Sequence, residues 1–195
     1  MNARRAVEVA IQIADAVAEA HALGFVHSGL SPDAIGITAK GHAKIPAFHL
    51  ATTMGFDGSG ATARLFDYIS PEEAREESPD ERSDVYSIGA VLYEMLTARQ
   101  PMHRGASAPS ATYPQVPKEL DAIVLKAVAP NPERRYQGAA EFAASLRGVV
   151  SLLELPEVPA EIANSASGAS VGRVAFVTLL ILAGLAAIAW WLMRS

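Results

Sequence analysis

The sequence predicts a mainly α-helical domain with a small β-hairpin, followed by a single transmembrane helix. Apolar residues recur at three- and four-residue steps along 83–99, and the stretch 2–23 is apolar on more than one face. Two short β-prone stretches flank the turn-forming residues 40–42, and residues 174–193 carry no charge. At 195 residues the chain is long enough for one domain with a hydrophobic core and too short for two.

Composition excludes several classes of function. The formal net charge is −5 and no run of basic residues is present, so nucleic acid is not an expected partner. The chain has no cysteine, which excludes disulfides, thiolate metal sites and cysteine nucleophiles. Glu8, Gln12 and Asp15 interrupt the first apolar stretch, which is therefore an amphipathic or buried helix and not a secretory signal.

The first half of the domain is predicted to form one long helix and then short strands. The helix covers residues 2–23 and ends at Gly24, since glycine is the usual residue just past a helix end. β-prone segments follow at 25–27, 35–38 and 43–48. Lys40-Gly41-His42 predicts the turn of a hairpin between the last two segments. Residues 49–67 are rich in Gly, Ser, Thr and Ala and predict a long loop.

The second half of the domain is predicted to form three helices. Residues 83–99 form the clearest of them, with Ser83 or Asp84 as the N-cap. Four prolines make residues 101–117 an irregular connection. Two further helices are predicted, one from 118 to the prolines at 130 and 132, and one from 137 to about 150.

The apolar run near the C-terminus predicts a single-pass membrane anchor. About 20 helical residues at ~1.5 Å each span the hydrocarbon core of a bilayer. The chain then divides into a folded domain (1–150), a juxtamembrane linker (151–172) and the transmembrane helix with a short tail (173–195). Arg173 and Arg194 bracket the run, so charge alone gives no orientation. Without a secretory signal, the simplest insertion places the chain in the cell membrane with its soluble domain in the cytoplasm.

Five stretches carry a family resemblance: FVHSGLSPDAIGIT (25–38), AKIPAFHLA (43–51), YISPEEA (68–74), RSDVYSIGAVLYEML (82–96) and NPERRYQGAAEF (131–142). In this order they resemble the C-terminal lobe of a protein kinase, over residues 5–149, and in particular that of membrane-anchored bacterial serine/threonine kinases. The first resembles the His-Arg-Asp-Leu-Lys-Pro-x-Asn loop, the second Asp-Phe-Gly and the third Ala-Pro-Glu. The family's N-terminal lobe, with its Gly-rich strand and lysine, is not expected in this chain.

The resemblance implies that the residues holding the fold together are kept. The structural family positions are His27, Leu30, Pro32, Phe48, Glu72, Asp84 and Arg135. His27 and Phe48 match two members of the hydrophobic column that runs through an assembled kinase. Leu30 and Pro32 match packing residues of the catalytic loop.

Three of these positions imply specific polar contacts. Asp84 matches the central-helix aspartate that accepts hydrogen bonds from backbone amides of the catalytic loop. Glu72 and Arg135 match a carboxylate–guanidinium pair, which would be a bidentate, partly buried tie between the end of the activation loop and the final helices. The remaining histidines lack metal-ligand spacing and are predicted to be surface or packing residues. They are His21, His42, His49 and His103.

The resemblance also implies that the residues that do chemistry are absent. The degenerate counterparts of the catalytic positions are Gly29, Ser31, Ala34 and Ala47. Gly29 stands where the family has the aspartate base, and Ser31 where it has the lysine that contacts the transferred phosphate. Ala34 and Ala47 stand where the family has the asparagine and aspartate ligands of magnesium. Since glycine and alanine offer no side-chain oxygen to a metal, no catalytic residue, metal site or cofactor is expected.

The sequence therefore favours a membrane-anchored pseudokinase-like domain that binds protein, or acts as a signalling scaffold, without phosphoryl transfer. The expected partners are the lipid bilayer and either a protein or a second copy of the chain, held through the upper face of the lobe, which an N-terminal lobe would cover. The alternative is a serine/threonine protein kinase represented by a truncated chain, with ATP and magnesium as its cofactors. A fragment that does not fold is a third hypothesis.

Overall fold

The computed structural model describes residues 2–45, 65–101 and 105–153, and most of this part of the chain is helical. It belongs to one unit, Met1–Glu154. The predicted class, mainly α with one small hairpin, is confirmed. No described helix is both long and apolar enough to cross a bilayer. The predicted span at 174–193 lies outside the described residues, as do most of the predicted linker and the positions Ala47 and Phe48.

Helix α1 (Ala3–Ala22) packs against two later helices, α3 (Glu81–Thr97) and α6 (Ala139–Leu153). Asn2 caps its start by accepting a hydrogen bond of 2.9 Å from the backbone N–H of Arg4. The helix ends as predicted, with Gly24 just past it at a φ of +78°. Its buried side chains are mostly alanine and valine, and these small residues let the neighbouring helices approach closely.

The predicted hairpin is present, as strands β1 (Gly36–Ile37) and β2 (Ala43–Lys44), with Gly36 opposite Lys44 and Ile37 opposite Ala43. Its turn requires Gly41, which has a φ of +80° and where a Cβ would collide with the guanidinium of Arg5. The hairpin is held on α1 by the side-chain oxygen of Gln12, which accepts a hydrogen bond of 2.9 Å from the backbone N–H of Ala43.

Residues 25–27 do not form the predicted strand. The N–H of Phe25 donates to the carbonyl of Ala20 at the end of α1, and the N–H of His27 donates to the carboxylate of Asp84. Because these amides are bonded to a helix end and to a side chain, they are not available for a strand ladder.

Helix α3 begins at Glu81, earlier than predicted, because its N-cap is Asp80 rather than Ser83 or Asp84. The Asp80 carboxylate accepts a hydrogen bond of 2.8 Å from the N–H of Arg82, and Ser83 completes a capping box. Asp84 faces inward and is fully buried. The N-cap prediction was therefore wrong, and the carboxylate assigned to it has another role.

Three of the remaining helices are short. They are α2 (Pro71–Ala74), α4 (Pro109–Thr112) within the stretch predicted to be irregular, and α5 (Glu119–Ala127). Helix α6 continues to Leu153, past the predicted end at 150, and the hydroxyl of Ser151 bonds the carbonyl of Arg147 there. The main hydrophobic core gathers buried residues from α1, α3, α5 and α6.

Helices α1 and α3 run antiparallel. At one end, His21 in the last turn of α1 contacts Asp84 in the first turn of α3. At the other end, Ala3 and Leu96 line the same groove. The loop that follows α1 therefore starts beside the N-terminus of α3, and this places the candidate site.

Candidate functional site

The catalytic-type loop is held by one buried carboxylate. Asp84 accepts a hydrogen bond of 2.7 Å from the N–H of His27 through Oδ2, and one of 3.0 Å from the N–H of Ser28 through Oδ1. Asp84 lies 57 positions from His27 and 56 from Ser28 in sequence, so these contacts fix the start of the loop on α3. Hydrogen bonds to an ionised acceptor are the stronger kind, which makes Asp84 the main support of the loop backbone.

A histidine that the sequence analysis treated as surface or packing also belongs to this cluster. His21 is buried, and its Nε2 lies 2.7 Å from Oδ2 of Asp84. Since the carboxylate accepts, Nε2 carries the proton. Nδ1 lies 3.8 Å from Glu81 Oε2, beyond hydrogen-bond distance. The signal in the sequence is spacing, because His21 continues the buried stripe of Ile13 and Val17 at four-residue steps.

The loop has an unusual backbone after this anchor. Ser28 has a φ of +50° and Gly29 has a φ of +124°, values that L residues rarely adopt. Leu30 is fully buried and packs in the main core, which fixes the loop from below. A 3₁₀ turn, Pro32–Ala34, then leads into the hairpin.

The side chains that this backbone presents carry few groups suited to chemistry. Gly29 has none, Ala34 ends in a methyl group, and Ser31, a buried residue, contributes a hydroxyl. Asp33 has a carboxylate and is exposed, at the first turn of the 3₁₀ segment. Among the described residues, no group of three or more His, Cys, Asp or Glu side chains is placed to hold a metal ion.

A second polar cluster joins α2 to the start of α6. Arg135 Nη1 donates to Glu72 Oε1 at 2.6 Å and Arg135 Nη2 donates to Glu72 Oε2 at 2.8 Å, a bidentate pair. Ser83 donates to the same carboxylate at 2.8 Å. The guanidinium also bonds the carbonyls of Arg82, Ala129 and Pro130. Both side chains of the pair are buried, so the partners depend on each other.

Burial and hydrogen bonding act in opposite directions on the carboxyl of Glu72. Burial opposes ionisation of Glu72, but the hydrogen bonds from Arg135 and Ser83 outweigh burial and hold the pKa of that carboxyl at about 2. The Arg135 guanidinium also lies 4.9 Å from the ring centroid of Tyr86. Burial raises the pKa of the Tyr86 hydroxyl to about 12 although the arginine opposes that shift.

The two clusters meet in the first turn of α3. Ser83 bonds Glu72 and its neighbour Asp84 bonds the loop, so one helix end connects the catalytic-type loop to α2 and Arg135. Of the residues singled out in the sequence, the structure brings together His27 with Asp84, and Glu72 with Arg135. Leu30 joins the core and Pro32 opens the 3₁₀ turn. His21 and Ser83 were missed.

Comparison with known proteins agrees with this arrangement. The family model described as "Protein kinase domain" matches residues 1–147. The serine/threonine-protein kinase PknB of Mycobacterium tuberculosis is 38% identical over 164 residues, covering 75% of this chain and 26% of that protein. PknB of Mycolicibacterium smegmatis is 37% identical over 161 residues, covering 73% of this chain and 26% of that protein. The chain therefore spans about a quarter of the length of these relatives.

Solved structures show the same fold. The kinase domain of Mycobacterium tuberculosis PknI, as a C20A mutant, is similar with a TM-score of 0.61 and 21% identity, over 76% of this chain and 55% of that one. A C20A_R136A double mutant of that domain gives a TM-score of 0.63 and 20% identity over 77% and 56%. With the family model matching most of its length, the chain belongs to the protein kinase family.

Proposed function

We propose that this chain is a membrane-anchored, pseudokinase-like domain that binds protein as a signalling scaffold and does not transfer phosphate. The proposal rests on one observation. Asp84 holds the backbone of the catalytic-type loop, whereas Gly29, Ser31 and Ala34 replace the base, the lysine and one metal ligand that the family carries there. The support of the loop is kept while its chemistry is lost.

We also propose that the chain uses neither ATP nor magnesium as a cofactor. In the family, phosphoryl transfer is mostly positioning and charge neutralisation by two magnesium ligands and a base. Ala47 occupies the position of the second ligand in the sequence and lies outside the described residues. These groups stabilise one transition state together, so losing several of them removes more than a proportional share of the rate.

The proposed protein-binding role concerns the surface beside the loop. Ile37, on strand β1, is 51% exposed, and Gly36 next to it is exposed as well. A single exposed isoleucine is ordinary on a protein surface, so the proposal rests on the family resemblance, in which an N-terminal lobe covers this face. We propose that it is the upper face of the lobe and contacts a protein partner or a second copy of the chain.

The membrane location rests on the sequence. Residues 174–193 carry no charge and are long enough to cross a bilayer as a helix. We propose a single pass in the cell membrane with the kinase-like domain on the cytoplasmic side.

The decisive test is nucleotide binding by the purified 195-residue chain. Its melting temperature is measured with and without millimolar ATP and magnesium, with PknB as the positive control. The proposal expects no shift for this chain and a clear shift, abolished by a chelator, for PknB. A chelator-sensitive shift for this chain would contradict it.

The alternative function, a serine/threonine protein kinase represented by part of its sequence, is favoured by the 38% identity to PknB. It predicts transfer of radiolabel from ATP to a protein hydroxyl. Transfer that co-purifies with the chain and disappears in the variant Asp84→Asn would establish the kinase and end the scaffold proposal.

A further inference from the structure

Two large apolar side chains stand exposed on the turn that follows α1. Leu23 is 75% exposed and Phe25 is 49% exposed, with Gly24 between them, and we call these three residues the apolar turn. Leu23 is the most exposed large apolar residue in the described part of the chain. Nothing lies within 4 Å of the position that a Cβ on Gly24 would take, so the space beside the turn is open. Because exposed apolar residues are common on proteins, the surroundings of this pair decide what it does.

The apolar turn is held in one conformation from both sides. The amides of Leu23 and Phe25 both donate to the carbonyl of Ala20, at 3.0 Å each. Two residues later, the amide of His27 donates to the buried carboxylate of Asp84 in the first turn of α3. A side chain on backbone that is already ordered loses less conformational entropy when a partner covers it. The apolar turn is therefore a pre-organised contact point.

Exposed carboxylates flank the apolar turn. Glu19 is exposed and precedes Leu23 by four positions, which puts the two residues on one face of the end of α1. Glu81, in the first turn of α3, has a side chain that is 49% exposed, and its Oε2 lies 3.8 Å from Nδ1 of His21 in the last turn of α1. Within the described residues, neither carboxylate pairs with a lysine or an arginine.

The nearby arginines do not balance these carboxylates. Arg82 donates to Asp80 at 2.7 Å and to Glu133 at 2.6 Å, so one positive charge stands between two negative charges. The C-terminus of α1 and the N-terminus of α3 meet here, and their opposite partial charges offset one another. Four exposed carboxylates at this end therefore stand against two guanidinium groups: Glu19, Asp80, Glu81 and Glu133 against Arg82 and Arg134.

We infer that the apolar turn and its flanking carboxylates bind a basic segment of a partner protein that carries one apolar or aromatic anchor. The anchor side chain packs on Leu23 and Phe25, while lysine or arginine side chains on either side of it pair with Glu19 and Glu81. Charge complementarity selects this partner, and the same carboxylates repel an anionic lipid surface.

A second copy of the chain does not supply such a segment. The sequence contains two adjacent pairs of lysine or arginine residues, Arg4-Arg5 and Arg134-Arg135. Arg4 and Arg5 both bond Glu8 within α1, and Arg135 is buried. The occupant is therefore a different protein.

The apolar turn is separate from the surface in the proposed function. Ile37 pairs with Ala43, whose amide bonds Gln12 on α1. Gln12 and Leu23 lie 11 positions apart, which is roughly 17 Å at 1.5 Å per residue. Binding at the apolar turn requires no nucleotide, so it succeeds or fails independently of the proposed loss of catalysis.

The experiment uses the 195-residue chain in zwitterionic nanodiscs and two peptide arrays. In both arrays a central Phe, Tyr, Trp or Leu is flanked by three positions on each side, filled from Lys, Arg, Ser and Gly in one and from Asp, Glu, Ser and Gly in the other. The basic array is expected to retain the protein, more weakly as ionic strength rises, and its best members to lose binding when the central residue is replaced by Ala. Equal retention on both arrays, or none on either, overturns the inference.

Variants then locate the site on the protein. Glu19→Gln and Glu81→Gln are each expected to weaken the best basic peptide about three- to ten-fold, and Leu23→Ser at least about five-fold. Two controls are expected to bind unchanged: Glu119→Gln, an exposed carboxylate at the start of α5, and Ile37→Ser, on the surface in the proposed function. An affinity that falls equally in all five variants, in none, or only in Ile37→Ser overturns the inference. So does self-association that Leu23→Ser abolishes, or stronger binding to phosphatidylserine vesicles than to any peptide.

Discussion

At the residue scale, single buried carboxylates organise this fold. Asp84 bonds two loop amides and His21, and Glu72 bonds Arg135 and Ser83. Each of these carboxylates accepts hydrogen bonds from several donors, which is the condition under which a buried charge is tolerated. Removing one partner leaves the others buried and unmatched, so substitutions here are expected to be costly.

The pair of Glu72 and Arg135 predicts a specific acid sensitivity. The pKa of Glu72 is lowered to about 2, so its contribution to stability is present above its ordinary value of 4.5 and is lost as pH falls towards about 2. Glu72→Gln is expected to cost about 3–5 kcal/mol at pH 7 and to flatten the pH dependence in that window. Urea unfolding measured between pH 7 and pH 3 tests this.

The control for that measurement is Glu77→Gln. Hydrogen bonding to Arg75 lowers the pKa of Glu77 as well, but this pair is on the surface, where the energy is small. If both variants reduce the loss of stability at low pH equally, the acid sensitivity does not come from the buried pair.

The backbone conformation of the loop predicts that replacing Gly29 with aspartate destabilises the fold. Gly29 is buried at a φ of +124°, so Gly29→Asp introduces backbone strain of about 1–3 kcal/mol and a buried carboxylate. Ser28→Gly, next to it at a φ of +50°, relieves strain and is expected to change stability by less than about 1 kcal/mol. Chemical denaturation of both variants decides this, and a Gly29→Asp protein as stable as the parent would show that the loop readily adopts another backbone.

At the element scale, sequence periodicity predicts the helices well. The long helix ending before Gly24, the hairpin around Gly41 and the helix containing Asp84 are all present. These are local features, determined by spacing and by turn residues within a few positions. The strand predicted at 25–27 failed because the amide of Phe25 bonds the end of α1 and the amide of His27 bonds Asp84, which lies 57 residues away.

The candidate site was less predictable than the helices. The pairing of Glu72 with Arg135 joins residues 63 positions apart, which periodicity cannot show, and it was anticipated only through the family resemblance. Asp84 was given two roles, and only the structure separates them, because a capping aspartate and a buried acceptor look alike in sequence. The carboxylate that caps α3 belongs to Asp80.

Close packing between α3 and α5 depends on one glycine. A Cβ at Gly89 would lie 2.7 Å from the Cβ of Ala127 and 3.0 Å from Cγ1 of Val128. Gly89→Ala is therefore expected to destabilise the fold by about 1–3 kcal/mol, since the helices must separate. Gly148→Ala, in α6 with nothing within 4 Å of the added Cβ, is expected to stabilise by about 0.5–1 kcal/mol.

A compensating change identifies the contact. Ala127→Gly added to Gly89→Ala removes the nearest atom and is expected to recover part of the loss, measured as the melting temperature of the double variant. A Gly89→Ala protein as stable as Gly148→Ala would mean that α3 and α5 are less closely packed than the structure shows.

At the scale of the whole molecule, helices α1, α3, α5 and α6 share one main core. It contains Val7 from α1, Leu92 from α3, Leu120 from α5 and Phe142 from α6, all fully buried. Since these four helices bury residues in the same core, none of the four is expected to unfold alone. Thermal unfolding of the 195-residue chain should give one transition, coincident by far-UV circular dichroism and by tyrosine fluorescence.

A core variant and a surface variant test whether that transition belongs to the shared core. Phe142→Ala is expected to lower the free energy of unfolding by about 3–5 kcal/mol while both probes still coincide. Arg147→Ala, on the same helix as Phe142, removes an exposed ion pair with Asp15 of α1 and is expected to cost no more than about 1 kcal/mol. Two separate transitions would show that the helices are energetically independent. The absence of any transition would favour the hypothesis that the chain does not fold, because a scaffold that binds through one face of the lobe needs the core that holds that face in shape.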